Sequence, residues 1–222
     1  MSLLDRRPRP ILSRDKSPDR LRDDRLFIIA CDDTYAPKQY FDFFKLLRVQ
    51  IHVVPTNNGT SIAGDVLKRL LSFEHEEDDE LWMVLDTDHL TQGHHLRGLV
   101  RALQDAKKKG VKVAFSRPCF ELWLLLHHLD ETSIAHLANA HDVEAALRTQ
   151  LGEYNKKNLK QEHYTHSSVV LACERAERLD QNASEGRIPR TNTSRVYLIW
   201  KAIAEKALPS QFPAALHGLL SQ

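Results

Sequence analysis

The sequence predicts an α/β fold: a mostly parallel four-stranded sheet with helices on both faces, followed by a helical C-terminal subdomain. Short apolar runs alternate with amphipathic segments over the first half of the chain, which is the pattern of repeated βαβ units. These runs contain few polar residues, as expected for strands that are covered on both faces. After residue 115 no further strand-like run follows, and the remaining patterns are helical.

The elements can be assigned in order from hydrophobic periodicity and from residues that begin or end helices. The predicted strands are Leu26–Cys31, Ile51–Val54, Leu81–Asp86 and Val111–Phe115. The predicted helices between them are Lys38–Val49 with Pro37 just before it, Thr60–Phe73, and Gln92–Lys109 with Gly110 after it. The later predicted helices are Cys119–His128, Asp142–Leu151, Glu162–Asp180 and Asn192–Ala207. The two sets predict an α/β core at residues 25–128 and a helical subdomain at residues 129–222.

Residues 1–24 differ from the rest of the chain in composition. They contain seven Arg or Lys residues and three prolines, with few side chains able to join a core. Such a composition predicts a flexible arm. A solvated tail and a segment that lies on a phosphate backbone both remain open for this arm.

Composition limits the class of protein. The net charge of the 222 residues is +1, so no overall basic field indicates nucleic acid, and any such binding must come from local patches. The three cysteines have no CxxC spacing, which argues against a disulfide framework and a zinc site. No apolar run approaches the roughly 18 residues that span a bilayer. We therefore expect a soluble, cytoplasmic protein without a membrane partner, and a homo-oligomer is compatible with the sequence.

Aspartates follow two of the predicted strands. Asp32 and Asp33 come after the first strand, whereas Asp86 and Asp88 end the run that begins at Leu81. Ligands of open α/β sheets bind at this carboxyl edge, and carboxylates that converge there suit Mg²⁺ or Mn²⁺. If the two strands are neighbours, we expect Asp32, Asp86 and Asp88 to hold the metal and Asp32 to transfer a proton. The structural alternative is that these aspartates terminate strands and cap helices.

Glu121 is the fourth candidate catalytic carboxylate. It lies in an otherwise apolar helical run, where an unpaired charge would be costly, and it closely follows the last strand. Its alternative is a buried ion pair with an Arg or Lys. His89 follows the Asp86-Thr87-Asp88 segment, here called the DxD segment. It is either a phosphate contact or a solvated loop residue. Cys119 is expected to be a packing residue rather than a nucleophile.

Substrate contacts are predicted from basic residues in two places. Lys156 and Lys157 lie in a segment with Tyr154 and Tyr164, and such segments pair with phosphates and stack on unpaired bases. A solvated lysine face anchored by two aromatic residues is the alternative. Arg190 and Arg195 lie near the N-terminus of the last predicted helix, where an anion would be favoured. Asn192 or Thr193 could instead simply cap that helix.

Four blocks of the sequence together resemble the RloB-like family of anti-phage defence proteins. They are Ile28–Phe41 (IIACDDTYAPKQYF), Asp86–Asp88 (DTD), Ser116–His127 (SRPCFELWLLLH) and Ile188–Val196 (IPRTNTSRV). The third block is the most specific, and the resemblance runs from about Leu26 to about Ala207. It implies a Toprim-like fold, a Mg²⁺-dependent nuclease site and a partner ATPase encoded nearby.

The first block departs from the family pattern. Asp32-Asp33 stands where relatives carry Glu-Gly, and Ala36-Pro37 replaces Thr-Glu. In Toprim-like nucleases the glutamate is thought to act as a general acid or base and sometimes as a metal ligand. The shorter aspartate keeps the carboxylate but moves it, and active sites tolerate little displacement.

The expected function is that of a metal-dependent nuclease effector in phage defence, controlled by an ATPase. RNA such as tRNA is the expected substrate, by analogy with other Toprim effectors. One alternative is a non-catalytic interaction subunit whose degenerate site binds metal, nucleic acid or the ATPase. A nucleotide-binding sensor is a weaker alternative, because no GxGxxG or P-loop sequence follows any strand.

Overall fold

The computed structural model describes residues 25–33, 35–54, 56, 62–90, 95–182 and 186–220. The predicted N-terminal arm lies outside these residues, as do the first residues of the helices predicted to begin at Thr60 and Gln92. The strands are β1 (Arg25–Cys31), β2 (Val49–Val54), β3 (Glu80–Asp86), β4 (Lys112–Arg117) and β5 (Thr193–Ser194). The first four match the predicted strands.

Seven of the described α-helices lie at the predicted places, with shifted ends, and one short helix, Glu131–Ile134, was not predicted. The described α-helices are α1 (Ala36–Asp42), α2 (Ala63–Leu71), α3 (His95–Lys108), α4 (Glu121–Leu126), α5 (Glu131–Ile134), α6 (Ala140–Leu151), α7 (His166–Asn182) and α8 (Val196–Lys206). Helix α1 is shorter than predicted because the chain turns before β2, through Arg48 with a φ of 57°. None of the described helices is both long and apolar enough to cross a membrane.

The strands form one sheet in the order β2-β1-β3-β4-β5. All neighbours are parallel except β5, which pairs antiparallel with the end of β4. The mostly parallel α/β fold is therefore confirmed, with a fifth strand in addition to the four predicted. Strand β5 occupies residues that were assigned to the start of the last helix. Asn192, expected as a possible cap, instead donates its side-chain amide to the carbonyl groups of Ile134 and Leu137.

Alternating residues of the sheet enter two separate hydrophobic cores, as the pleat of a strand requires. On β1, Leu26 and Ile28 face the core under α2 and α3, whereas Phe27 and Ile29 face the opposite core. That opposite core includes buried residues of α1, α4, α6, α7 and α8. Residues from both predicted segments, 25–128 and 129–222, thus pack into this core. The domain boundary at residue 128 stays a prediction.

The strand order creates a topological switch point between β1 and β3. From β1 the chain moves outward to β2, and it then crosses back to place β3 on the other side of β1. Helices that connect these strands lie on opposite faces of the sheet, so a crevice opens at the carboxyl ends of β1 and β3. The aspartates that end both strands therefore meet at the position where doubly wound folds bind ligands.

Candidate active site

Asp32 and Asp86 lie side by side at the switch point. Asp32 directly follows β1 and Asp86 ends β3, and the backbone N–H of Asp86 donates to Asp32 Oδ2 at 2.7 Å. The N–H of Asp32 donates in turn to the carbonyl of Val84 at 3.3 Å. These contacts continue the pairing of β1 with β3 by one residue. The condition that the sequence left open, that the two strands are neighbours, is met.

The Asp32 carboxyl group is almost enclosed, with 6% of the residue exposed. Burial raises its pKa from 3.8 to about 7, although N–H donors and the neighbouring His89 act in the opposite direction. Its second oxygen, Oδ1, accepts from the N–H of Asp33 at 2.9 Å. A carboxyl group that titrates near neutral pH can exchange protons efficiently under cellular conditions.

Asp32 does not cap helix α1. The N-cap residue is Tyr35, whose side chain makes no capping bond. Asp33 does have a local structural role, since its Oδ1 accepts from the N–H of Tyr35 at 2.6 Å. The capping alternative thus describes the loop at Asp33 better than it describes Asp32.

Asp86 is a buried carboxyl group at the end of β3, next to Asp32. It is 8% exposed, and its Oδ1 is buried without a hydrogen-bond partner among the described residues. Burial raises its pKa well above the ordinary value, and the charges of Asp32 and Glu121 raise it further. A buried, unpartnered carboxylate oxygen is costly for stability and marks a position where a cation or a proton is favoured.

Asp88 and His89 form a tight pair beside these two aspartates. Asp88 Oδ1 accepts from both the backbone N–H and the ring Nδ1 of His89, at 2.7 and 2.6 Å. Partial burial acts to raise the pKa of Asp88, but these bonds from His89 outweigh it and lower the pKa overall. The other ring nitrogen, Nε2, lies 3.8 Å from Asp32 Oδ2. His89 therefore bridges the DxD segment and Asp32.

Glu121 begins helix α4 and is 3% exposed. Its Oε1 accepts a hydrogen bond of 2.8 Å from the Tyr154 hydroxyl. Burial raises the pKa of Glu121, and this bond partly offsets the increase. The bond is to a hydroxyl group rather than to the Arg or Lys of the alternative interpretation. The same microenvironment raises the pKa of the buried Cys119 thiol, mainly through burial, which fits packing and not nucleophilic attack.

The loop at residues 152–160 closes one side of the site. Lys156 Nζ lies 3.5 Å from Asp33 Oδ2, and Lys157 Nζ lies 5.2 Å from the centre of the Tyr35 ring. Burial acts to lower the pKa of Lys156, but the carboxylates of Asp33 and Glu121 outweigh it and raise the pKa. Of the predicted substrate contacts, Lys156 and His89 thus lie beside carboxylates of the site, and Lys157 lies over the Tyr35 ring.

The two predicted arginines are in a different setting. Arg195 Nε donates to Asp180 at 2.9 Å, and its other nitrogens donate to the carbonyls of Arg187 and Gly186. It lines an open groove of about 860 Å³ that reaches Trp82 near the amino-terminal end of β3 and includes none of the candidate carboxylates. Arg190 is exposed. A phosphate-binding role for both arginines stays a prediction.

Three residues near the site were not predicted as part of it. Tyr154 was considered only for stacking, yet its hydroxyl binds Glu121. Gln39 fixes the loop to α1, because Nε2 donates to the carbonyl of Lys156 and Oε1 accepts from the N–H of Leu159. Arg69 Nη2 donates to the carbonyl of Cys31 at 2.5 Å. These contacts join distant parts of the chain, and no local sequence pattern indicates them.

The carboxylates of the cluster are ligands of the kind that a divalent cation prefers. Within the described residues, no group of three or more His, Cys, Asp or Glu side chains is arranged to hold a metal ion. Mg²⁺, however, is usually bound by one or two carboxylates together with water and substrate phosphates. The chemistry of Asp32, Asp86 and Asp88 and the unpartnered Oδ1 of Asp86 fit that mode of binding.

The fold and site together define an α/β protein with a Toprim-like arrangement, in which an acidic cluster occupies the carboxyl edge of a parallel sheet. A family model described as RloB-like protein matches residues 27–203. The chain therefore belongs to the RloB-like family, and the match runs from Phe27 in β1 to Ile203 in α8. Searches of curated proteins and of solved structures found no match to this chain.

Proposed function

We propose that this protein is a metal-dependent nuclease that acts on RNA in phage defence. The observation that carries the proposal is the buried contact between Asp32 and Asp86 at the switch point, with the Asp32 pKa raised to about 7. Carboxyl groups with strongly raised pKa values concentrate at functional sites, because catalytic acids and bases need pKa values that are matched to their task. Family membership supports the same direction but does not by itself define an activity.

The residues suggest a division of roles. Asp86 and Asp88, with Asp32, would hold Mg²⁺ or Mn²⁺, which supplies positive charge next to a phosphate and polarises its oxygen atoms. Asp32 is suited to accept or donate a proton near neutral pH. Lys156 would bind a neighbouring phosphate, and His89 would orient Asp88 and Asp32 through its two ring nitrogens. Glu121, whose Oε1 accepts from the Tyr154 hydroxyl, would supply a further carboxyl group next to this edge.

A cleavage assay tests this function directly. Total tRNA, single-stranded DNA and double-stranded DNA are incubated with the protein in Mg²⁺, Mn²⁺ or EDTA, with and without the ATPase that the family resemblance implies. We expect metal-dependent cleavage of RNA that the Asp86→Ala/Asp88→Ala variant loses. Glu131→Gln is a matched acidic control, because Glu131 pairs with Arg178 on the surface. Absence of cleavage under all conditions would contradict the proposal.

A specific observation favours a second candidate, a non-catalytic interaction subunit. Both oxygens of Asp32 already accept backbone N–H groups, so the residue at the family's glutamate position is engaged by the chain itself. In a subunit of this kind the acidic edge would bind metal or the ATPase without cutting nucleic acid. Binding of the ATPase by a protein that cuts none of the substrates would favour this candidate.

A further inference from the structure

Arg69 lies on helix α2, and its side chain reaches the residue that precedes Asp32. Its Nη2 donates a hydrogen bond to the carbonyl of Cys31, which is the last residue of β1. Burial lowers the pKa of the Arg69 guanidinium, whereas Asp32 and Asp65 are among the groups that act to raise it. Arg69 is therefore a cation at the carboxyl edge of the sheet, within electrostatic reach of the candidate active site.

The guanidinium of Arg69 keeps a donor that the described part of the chain does not use. Its Nε is shielded by the protein, whereas Nη1 has no hydrogen-bond partner among the described residues and is not enclosed. Arg69 also forms no ion pair with a described carboxylate, since the group that it binds is a neutral carbonyl. Arginine stays charged in proteins, and a partly buried charge without a counter-ion is unfavourable. The position is thus suited to an anion that arrives from the solvent.

A second cation approaches the same segment from the opposite face of the sheet. Lys156 Nζ lies 3.5 Å from Asp33 Oδ2. Helix α2 packs on one face of the sheet, whereas the loop at residues 152–160 packs against the core on the other face. Cys31 and Asp33 are the sequence neighbours of Asp32, so the two cations bind the residues on either side of it.

The arrangement of the two cations indicates the chemical class of the anion. A nucleic-acid strand carries one negative charge per nucleotide, so a strand with one phosphate at the carboxylates presents further phosphates on both sides of it. Guanidinium groups bind phosphate oxygens through strong, charge-assisted hydrogen bonds. The net charge of the chain is only +1, so local cations must offset the repulsion between the acidic cluster and the strand.

We propose that Arg69 binds a phosphate of the RNA strand on the α2 side of Asp32, opposite Lys156. The inference rests on the proposed function, since it names a substrate-binding residue of the same site. Contacts to phosphates position a strand without reading its sequence, so Arg69 would strengthen the binding of every RNA to the same extent. Free inorganic phosphate has the same chemistry, and the experiment below separates it from a phosphate within a strand.

The test measures binding, so it does not depend on cleavage. Labelled oligoadenylate and oligouridylate are titrated against the full chain by fluorescence anisotropy, in EDTA and again in Ca²⁺, over a series of KCl concentrations. We compare wild type with Arg69→Gln, which removes the charge, and with Arg69→Lys, which keeps the charge but not the planar fork. Lys68→Gln is the matched control, because it removes one positive charge from the adjacent, exposed position of α2.

We expect Arg69→Gln to weaken the binding of both RNAs by about tenfold at low salt, the effect of one charge-assisted hydrogen bond. The slope of the logarithm of the binding constant against that of the KCl concentration should become shallower by about 0.7, the value for one phosphate contact of a single strand. Arg69→Lys should keep most of the wild-type slope, and Lys68→Gln should keep both the slope and the affinity.

A purely structural role of Arg69 gives a different result. If Arg69 only ties α2 to β1, both substitutions at this position should lower the melting temperature, and the folded variants should bind RNA with the wild-type slope. That result would overturn the proposal, as would equal effects of Lys68→Gln and Arg69→Gln or a wild type that binds neither RNA in either condition. Displacement of the RNA by inorganic phosphate as readily as by unlabelled RNA of equal phosphate content would overturn the assignment to a strand.

The outcome is separable from that of the cleavage assay. RNA binding that Arg69→Gln weakens, in a protein that cuts nothing, would support the phosphate contact and contradict the nuclease. Metal-dependent cleavage by a protein whose RNA binding is insensitive to Arg69→Gln would support the nuclease and contradict the phosphate contact.

Discussion

Replacing Asp86 with Asn should change how the stability of the protein depends on pH. A carboxyl group whose pKa is higher in the folded state keeps a proton that the unfolded chain releases. Stability therefore falls as pH rises from the unfolded pKa towards the folded pKa. For Asp32 this interval runs from 3.8 to about 7, and Asp86 acts in the same direction because burial and the neighbouring carboxylates raise its pKa.

The magnitude follows from the number of protons. Each extra proton held by the folded state lowers the free energy of unfolding by about 1.4 kcal/mol per pH unit. Asp32, whose folded-state pKa is about 7, should contribute a loss of up to about 1.4 kcal/mol per pH unit between pH 5 and 6.5, and Asp86 should add a loss of the same sign. Asp86→Asn keeps the shape and removes the titrating group, so the loss of stability with rising pH should become smaller, and the variant should be the more stable protein at pH 7.

Urea unfolding at several pH values, in EDTA, measures these slopes. Asp88→Asn is the matched control, because the bonds from His89 lower the pKa of Asp88 and reverse the sign of its contribution. That control should be no more stable than wild type at pH 7. Equal slopes for wild type and Asp86→Asn, or a less stable Asp86→Asn at pH 7, would refute the electrostatic account of the site.

Three further predictions concern metal binding, Glu121 and the family's glutamate position. Mg²⁺ at a hundred times its dissociation constant should stabilise wild type by about 2.7 kcal/mol, which is measured as a rise in melting temperature. Asp86→Asn should lose most of this rise, and an equal rise in both proteins would argue against the metal site. Tyr154→Phe leaves the buried Glu121 without its hydroxyl donor, so the free energy of unfolding should fall by about 1–3 kcal/mol. An unchanged urea midpoint would show that this hydrogen bond contributes little to stability. Asp32→Glu combined with Asp33→Gly should lower the rate of cleavage, because the longer side chain cannot keep the 2.7 Å hydrogen bond from the N–H of Asp86 in the same geometry. A higher rate of cleavage would instead indicate a decayed ancestral site.

Local patterns were enough to predict the four main strands and the positions of the carboxylates. The apolar run before Asp86 and the run before Asp32 each fix a buried strand, and the parallel arrangement then places both residues at one edge. Their mutual distance could not be predicted. It depends on the order of the strands, which is decided by the direction of the crossovers and not by any residue in β1 or β3.

Long-range contacts account for what the sequence did not reveal. Strand β5 has only two residues, too few for a periodic pattern, and it exists because Thr193 and Ser194 lie against the end of β4. Tyr154 binds Glu121 from 33 positions away, and Gln39 reaches the loop from 117 positions away. Such pairs are set by the packing of the whole core, so single-sequence periodicity carries no signal for them.

The late position of these contacts has a consequence for protein synthesis. The hydrogen bond between Ser116 and Ser194 joins residues 78 positions apart, and the contact between Asp33 and Lys156 joins residues 123 positions apart. Neither contact can form until the later residue has been synthesised. A ribosome therefore has to synthesise most of the chain before the loop at residues 152–160 can pack beside the acidic cluster. If the protein cuts RNA as proposed, a nascent chain could not yet attack the messenger, the transfer RNAs or the ribosome that are producing it.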